Sequence, residues 1–342
     1  MNVLLATVGV TVLLLTMADM ARTTVRLDRP SGPVTRLVAR AVWRTFAPRG
    51  RKGRRPGPPA ATGFVITSVI VVLWLGLTLL AWFLIFSAER GAVIDSGTGR
   101  PAGAWDTLYY AAFTLSTLGV GDYVPNGALW QVLTGVAATA GFAIVTLVIT
   151  YVMSLTAAVM GKRRLGRLIL SLGDTPERIV LRSWDGAAFT GIDQHLVALT
   201  SELHGLAEQH LAYPVLYYFR SEDPRAAHWP AVAVLSEALL VLDELVDEQV
   251  RLPPLVLGPP REAIESYLSM LPGPHRLPEV DAPPPPDVAT LRERGVPLRP
   301  EDDIAVAVDR AGGTRRLLWA VLRHQGWSWP TSVTAARRED HP

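Results

Sequence analysis

The sequence contains no cysteine, so disulfide bonds and thiolate metal sites are excluded, and cysteine usage says nothing about the redox compartment. Lysine is nearly absent as well. Lys52 and Lys162 are the two lysines among 33 basic residues, a skew to arginine that we interpret as a bacterial origin. No Gly-x-Gly-x-x-Gly segment follows a predicted strand, so a nucleotide-binding regulatory domain is not supported. No group of residues resembles a catalytic site, so an enzyme is not expected and no cofactor is predicted.

The charges of the chain are unevenly distributed. The net charge is +2, and the mean hydropathy of +0.25 is high for a soluble protein, which indicates membrane segments. Residues 1–60 carry eleven basic residues, from Arg22 to Arg55, against Asp19 and Asp28. Residues 161–342 carry 20 basic and 25 acidic residues, a balance of −5. The basic segment is therefore confined to one linker. We predict that this linker binds anionic lipid head groups, and nucleic-acid binding is not expected.

Three apolar runs are candidates for membrane helices. A helix that spans a bilayer needs about 20 mostly apolar residues. Residues 60–87 and 128–160 meet this requirement, and residues 3–17 form a shorter third run. The first run contains no basic residue, so it lacks the arginine ladder of a voltage sensor. We predict three membrane-spanning helices.

The basic residues predict the orientation of these spans. Under the positive-inside rule, the linker from Arg22 to Arg55 is cytoplasmic, as are the basic residues at 162–167. The N-terminus and residues 89–126 then lie outside a plasma (inner) membrane, and residues 161–342 form a cytoplasmic domain. A cleaved signal peptide is the alternative for the first run. That run lacks a basic start and an Ala-x-Ala site, and cleavage would place the arginine-rich linker outside.

A half-length helix and a glycine-rich loop lie between the second and third runs. Residues 105–116 are too short to span a membrane, and Thr117-Leu118-Gly119-Val120-Gly121-Asp122 follows them directly. Successive carbonyls face one axis only where some residues adopt φ > 0, which glycine does easily. A loop at membrane depth must be buried in protein or line a water-filled path. We interpret this loop as a cation selectivity filter with Asp122 at its outer mouth; an ordinary extracellular turn is the alternative.

The nine residues Thr114-Leu115-Ser116-Thr117-Leu118-Gly119-Val120-Gly121-Asp122 resemble the filter pattern of bacterial two-helix potassium channels, T-x-[TS]-T-[VIL]-G-[YF]-G-D. Pro125, Trp130 and Gly141 also stand where such channels often have a proline, a tryptophan and a gating glycine. The resemblance implies an all-α membrane protein, a pore module of helix, pore helix, filter and helix that assembles as a homotetramer, with K+ as the permeant ion. The ion-binding residues that it implies are Thr117, Leu118, Gly119, Val120 and Gly121, with the first four coordinating K+ through their carbonyls and Thr117 also through its hydroxyl.

This sequence departs from the family pattern at two positions. Val120 stands where the family usually has Tyr or Phe, and Phe113 stands where some relatives have a Glu that pairs with the filter Asp. Val120 removes an aromatic brace, so a weakly selective K+/Na+ channel is an alternative to a potassium-selective one. Asp122 needs another partner, for which Trp105 or water is available. Gly141 is either a gating hinge or a site of close helix packing. A non-conducting, membrane-anchored signalling or structural protein is a third alternative.

The last part of the chain is predicted to be mostly helical. Apolar periodicity predicts helices over 192–212, 230–250, 261–271 and 303–327, the third opening after Pro259-Pro260 and the fourth broken at Gly312-Gly313. The predicted organisation is an N-terminal span (1–20), a basic cytoplasmic linker (21–59), the pore domain (60–160), a helical cytoplasmic domain (161–271), a proline-rich linker (272–300), a C-terminal helical segment (301–330) and a disordered tail (331–342).

Overall fold

The computed structural model describes residues 2–24, 32–46, 59, 61–221, 223–271 and 280–330. These residues are mostly helical, with one two-stranded sheet among them, so the predicted all-α fold class is confirmed. The chain divides into two compact units. The first comprises Met1–Val42 with Phe64–Thr156, and the second comprises Trp43–Gly63 with Ala157–Pro342.

Three long apolar helices and a short one dominate the first unit. Its helices are α1 (Val3–Thr24), α2 (Pro33–Phe46), α3 (Thr62–Phe86), α4 (Ala104–Leu115) and α5 (Ala128–Leu172). Parts of α2, α3 and α5 belong to the second unit. By length and composition, α1, α3 and α5 are able to cross a membrane. Both α1 and α5 run past the predicted ends of their apolar stretches, at residues 17 and 160. Neither extension contains a proline, so the helical hydrogen bonds continue into polar sequence.

A carboxylate from α1 holds the N-terminal end of α2. Asp19 is 2% exposed, and it accepts hydrogen bonds from the Val34 amide at 2.9 Å and from the Thr35 hydroxyl at 2.7 Å. The Trp74 indole of α3 donates to the same carboxylate at 3.1 Å. The first amides of a helix have no partner within the helix, so Asp19 satisfies them in the way an N-cap residue does. A Cβ on Gly32 would lie 2.0 Å from Asp19 Oδ1, so the approach requires glycine there.

An aromatic cluster fixes α4 against the long helices. Tyr110 of α4 and Phe86 of α3 are each 1% exposed, and their rings meet edge to face at 5.1 Å. Trp82 and Trp130 pack on the same Phe86 at 5.6 and 6.3 Å. The Tyr110 hydroxyl also lies 2.5 Å from the Thr134 hydroxyl of α5. This short helix is therefore bound to α3 by ring packing and to α5 by a hydrogen bond.

A small antiparallel sheet joins the loop after α3 to the segment before α5. Its strands are β1 (Val93–Asp95) and β2 (Tyr123–Pro125), with Ile94 opposite Val124. The Ser96 amide donates to the Asp122 carbonyl at 2.8 Å and extends the pairing by one residue. The segment that follows the predicted filter is therefore anchored to the loop after α3. Strands of three residues carry too little alternation for the sequence to predict them.

The second unit is a helical domain. Its elements are the end of α5, then α6 (Pro176–Ser183), α7 (Ile192–Ala212), a 3-10 turn (Pro214–Tyr218), a second 3-10 turn (Pro224–Ala226), α8 (His228–Leu240), a π-helical turn (Val241–Leu245), α9 (Pro254–Ser269), α10 (Val288–Glu293), α11 (Glu301–Arg310) and α12 (Gly312–His324). Twelve of the thirteen residues of α8 are buried, so α8 is the central helix of this domain. The bounds of α7 are those that its apolar periodicity predicts.

A buried ion pair joins α8 to α12. Arg315 and Glu237 are 3% and 2% exposed in their side chains, and two nitrogens of the guanidinium donate to the two carboxylate oxygens at 2.8 and 3.0 Å. The same Arg315 donates to the Pro284 carbonyl at 2.6 Å, which holds the proline-rich segment against the domain. The bidentate geometry compensates for part of the cost of taking both charges out of water.

The other predicted helices of this domain differ from the observed ones at their ends. The helix predicted over 230–250 begins at His228 and ends in a π-helical turn at Leu245. The helix predicted to open after Pro259-Pro260 begins at Pro254 instead. Proline at the first helical position has a suitable φ, and the later pair lies inside the helix. The break predicted at Gly312-Gly313 lies one residue earlier, at Ala311. The predicted tail over 331–342 lies outside the described residues.

Candidate functional site

The candidate site begins at the pore helix, α4. The Asp106 carboxylate accepts a hydrogen bond from the Gly103 amide at 2.9 Å and so caps the start of this helix. At the other end, the amides of Thr117 and Leu118 donate to the carbonyls of Thr114 and Phe113 at 3.0 and 2.9 Å. The chain therefore leaves α4 through a hydrogen-bonded turn that fixes the first residues of the predicted filter. The half-length helix predicted over 105–116 is confirmed within one residue at each end.

The backbone of the loop alternates in handedness. Thr117, Gly119 and Gly121 have φ of 59°, 57° and 87°, whereas Leu118 and Val120 between them have negative φ. Such alternation turns successive peptide units the same way, so that amides point to one side and carbonyls to the other. Thr117 is the one non-glycine residue with positive φ in the described part of the chain. A left-handed conformation costs a β-branched residue about 1–2 kcal/mol, and strain of this kind concentrates at functional sites.

The side chains of this loop point away from the core of their own chain. Leu118 is 70% exposed and Val120 is 49% exposed, and a Cβ placed on Gly119 or Gly121 would meet nothing within 4 Å. Among the described residues, nothing covers the side chains of Leu118 and Val120 closely. Hydrogen bonds at its two ends hold the loop to α4 and to the small sheet.

Asp122 has its partner on the pore helix. Its carboxylate faces the Tyr109 hydroxyl, and its own side chain also accepts from the Tyr123 amide at 3.1 Å. Trp105, the partner considered from the sequence, is 81% exposed. Tyr109 stands two turns before the predicted filter, and this spacing is the sequence signal for its contact with Asp122.

Gly141 of α5 touches the last residue of the pore helix. A Cβ on Gly141 would lie 2.0 Å from the Leu115 carbonyl oxygen and 2.7 Å from its carbonyl carbon. No side chain fits there unless α4 or α5 moves. Of the two interpretations given to Gly141, this contact supports close packing. The hinge interpretation remains a prediction.

The basic linker contains an amphipathic helix. Arg36, Arg40 and Arg44 of α2 are all exposed and stand one turn apart, so they share one face. Leu37 and Phe46 are also exposed, by 64% and 40%. A solvent-facing helix surface that combines arginines with large apolar side chains is typical of helices that lie on a membrane surface. The remaining arginines of the linker fall largely outside the described residues.

Comparison with known proteins agrees with this geometry. A family model described as an ion channel matches residues 64–158, which include α3, the pore helix, the loop and most of α5. The chain belongs to the ion-channel family that this model describes. Membership in this family makes the protein an ion channel, and the apolar helices α1, α3 and α5 agree with a membrane protein.

The similarity extends beyond the pore module. The protein named "Uncharacterized membrane protein YdjJ" of Bacillus subtilis (strain 168) is 31% identical to this chain over 327 residues. The match covers 96% of this chain and 95% of that protein. The match therefore includes the sequence of the helical domain after α5. No solved structure matches the chain significantly.

Proposed function

We propose that this protein is a homotetrameric, potassium-preferring channel through which K+ moves passively down its electrochemical gradient. The observation that carries the proposal is the alternating backbone of the loop, with positive φ at Thr117, Gly119 and Gly121. A filter removes water from the ion and replaces it with carbonyl oxygens. The carbonyls of Thr117, Leu118, Gly119 and Val120 and the Thr117 hydroxyl are the ligands that we propose for K+.

A tetramer follows from the number of filters in one chain. Each chain supplies one loop, and a closed ring of carbonyls around an axis needs several copies related by rotation. The pore family implies four. The exposure of Leu118 and Val120 and the open space around Gly119 and Gly121 support this assembly, because partner chains would cover these positions.

Val120 supports a second candidate, a weakly selective K+/Na+ channel. Its side chain is 49% exposed and is smaller than the aromatic residue typical of the family. A filter whose width is less firmly held discriminates less strongly between ions of different size. The position of Asp122 against Tyr109 partly offsets this loss by fixing the outer end of the loop.

We propose that the membrane is the plasma membrane of a bacterium, with the N-terminus outside and the helical domain inside. The arginines of α2 support this orientation under the positive-inside rule. Their shared face, with Leu37 and Phe46 beside it, supports contact with anionic lipid head groups. Each basic residue near such a surface contributes about 1 kcal/mol to membrane binding.

The test is ion flux in liposomes that contain the purified full-length protein. We expect K+ flux to exceed Na+ flux, and Gly119→Ala to abolish conduction, because alanine is strained at φ of 57°. Gly97→Ala is the matched control, since a Cβ there makes only an ordinary contact of 3.6 Å with Asp95 Oδ1. Equal K+ and Na+ flux would instead favour the weakly selective channel.

The non-conducting alternative makes different predictions. It predicts no flux from the wild-type protein and no effect of Gly119→Ala on whatever function the helical domain has. Crosslinking in native membranes gives an independent measurement, because a channel of this type requires four chains. Stable monomers in the membrane would contradict the proposed channel assembly.

A further inference from the structure

Lys162 is a buried cationic side chain in the second unit. It is 3% exposed, and its side-chain nitrogen Nζ donates to the carbonyls of Leu216 and Phe219 at 2.9 and 2.8 Å. Lysine is almost never fully buried unless it is paired. No carboxylate forms an ion pair with Lys162 among the residues that the structure describes. Two neutral carbonyls are therefore the partners of a group that water would solvate far better when it is charged.

The titratable groups around Lys162 are neutral near pH 7. The charge of Lys162 acts on His210 of α7 and His228 of α8. Tyr267 of α9 contacts His210, and Tyr217 of the first 3-10 turn follows Leu216 in the chain. Burial lowers the pKa of His210 to about 3 and that of His228 well below its usual value, and the charge of Lys162 lowers both further. Burial also raises the pKa of both tyrosines. No neighbouring charge therefore stabilises the ammonium.

The buried polar groups around His210 and His228 are only partly hydrogen-bonded. His210 Nδ1 lies 3.0 Å from the Leu206 carbonyl, and its Nε2 lies 3.4 Å from the Tyr267 hydroxyl. Within the described residues, His228 Nε2 and the Trp229 indole nitrogen have no hydrogen-bond partner. A region with unsatisfied polar groups gains hydrogen bonds when it opens to water, so the closed arrangement around Lys162 is held by packing rather than by a complete polar network.

Lys162 lies where a change in packing would reach the pore helices. It belongs to α5, about 50 Å along the helix axis from Ala128, and so lies beyond the hydrocarbon core, which is about 30 Å thick. Its partner Phe219 packs on the start of α3, where a Cβ on Gly63 would lie 2.6 Å from the Phe219 ring. The Leu216 to Phe219 segment thus contacts both the first turn of α3 and the extension of α5.

We propose that the contact between Lys162 and the Leu216 to Phe219 segment is sensitive to protons. The neutral amine of Lys162 holds the extension of α5 against this segment. Acidification releases the contact and changes channel opening. This proposal goes beyond the proposed function. Only the flux measurement described below depends on the protein being a channel. A neutral amine retains two N–H donors for the two carbonyls, whereas the ammonium gains more from water.

The size of the effect follows from linkage. Burial lowers the pKa of Lys162 from 10.5 to about 7 in the closed arrangement, whereas a released side chain has the ordinary value. The released form binds the proton more tightly, so acid favours it and alkali favours the closed form. With these two values, the ratio of released to closed protein rises about tenfold from pH 8 to pH 6.

Hydrogen exchange on the full-length protein in lipid nanodiscs tests the contact without any need for conduction. After correction for the intrinsic exchange rate, we expect the amides of residues 214–219 to lose protection between pH 8 and pH 6, with an opening ratio about tenfold larger. Lys162→Met fills a similar volume without a charge, and we expect it to remove this pH dependence. Lys162→Leu serves the same purpose if the methionine variant does not fold. Arg164→Met is the matched control, since Arg164 lies on the same helix with its side chain 65% exposed and pairs with Glu202.

Each outcome is decisive. Constant protection of 214–219 in the wild-type protein, or an unchanged pH dependence in both neutral variants, would overturn the proposal. Loss of the pH dependence in His210→Gln or His228→Gln, with retention in Lys162→Met, would assign the proton to a histidine and also overturn it. Liposome K+ flux at the same two pH values tests the coupling: we expect a pH response in the wild type and none in Lys162→Met. A flux that does not change with pH contradicts the coupling, whereas absence of flux at both pH values with a positive exchange result contradicts only the proposed conduction.

Discussion

Gly141→Ala is the perturbation whose consequence the structure specifies most closely. The added Cβ would lie 2.0 Å from the Leu115 carbonyl oxygen, whereas ordinary contact begins at 3.4 Å, so the two groups must separate by about 1.4 Å. The atom that must move is backbone, in the last residue of the pore helix, two residues before Thr117. Overpacking of this kind costs about 1–3 kcal/mol. If that cost falls on the conducting arrangement, the conducting fraction drops about 5- to 150-fold.

Two measurements separate this packing effect from the loss of a hinge. We expect Gly141→Ala to reduce K+ flux in liposomes and to lower the apparent Tm, followed by tryptophan fluorescence. A pure hinge predicts the opposite sign for stability, because alanine favours a helix interior over glycine by about 0.5–1 kcal/mol. Gly135→Ala is the control on the same helix, since a Cβ there meets nothing within 4 Å. An unchanged or raised Tm with Gly141→Ala would refute the packing argument.

Three further predictions concern buried polar groups. Asp19→Ala removes the cap of α2 and is expected to lower stability by about 2 kcal/mol in a thermal melt; an unchanged melt would contradict the capping role. Tyr110→Phe removes the hydrogen bond between the pore helix and α5. We expect this change to lower the stability by about 1 kcal/mol and to reduce K+ flux, which is the measurement that checks it. Glu237→Leu leaves Arg315 buried without its partner, with an expected loss of about 3–5 kcal/mol, and adding Arg315→Met should recover most of it; a double variant no better than the single one would contradict this pairing.

The backbone conformation of the loop from Thr117 to Asp122 could be predicted because its information is local. Glycines at alternate positions after a short aromatic helix specify both the conformation of the loop and its place between two spans. The bounds of α7 followed from apolar periodicity alone. The arginines of α2 stand one turn apart, and this spacing is a sequence signal for a helix within the linker.

The partners of single polar residues could not be predicted, because they are remote in sequence. Asp19 bonds to Trp74, 55 residues away, and Lys162 bonds to Phe219, 57 residues away. Lys162 stands in a basic cluster after an apolar run, a pattern typical of residues at a membrane surface. Burial separates it from its arginine neighbours, and its contacts in the buried position are with Leu216 and Phe219, far along the chain.

The capping of α2 by Asp19 also constrains how the protein is made. A carboxylate within an apolar helix is costly in lipid until donors reach it, by about 2.5–3.5 kcal/mol at the centre of a span and less toward its ends. The donors of Asp19 come from Val34, Thr35 and Trp74, which emerge from the ribosome later than α1 does. During synthesis, α1 therefore reaches its final environment only after α3 has been translated. Helices α1 and α3 therefore mature as a pair, so a chain that ends before Trp74 should leave α1 poorly inserted.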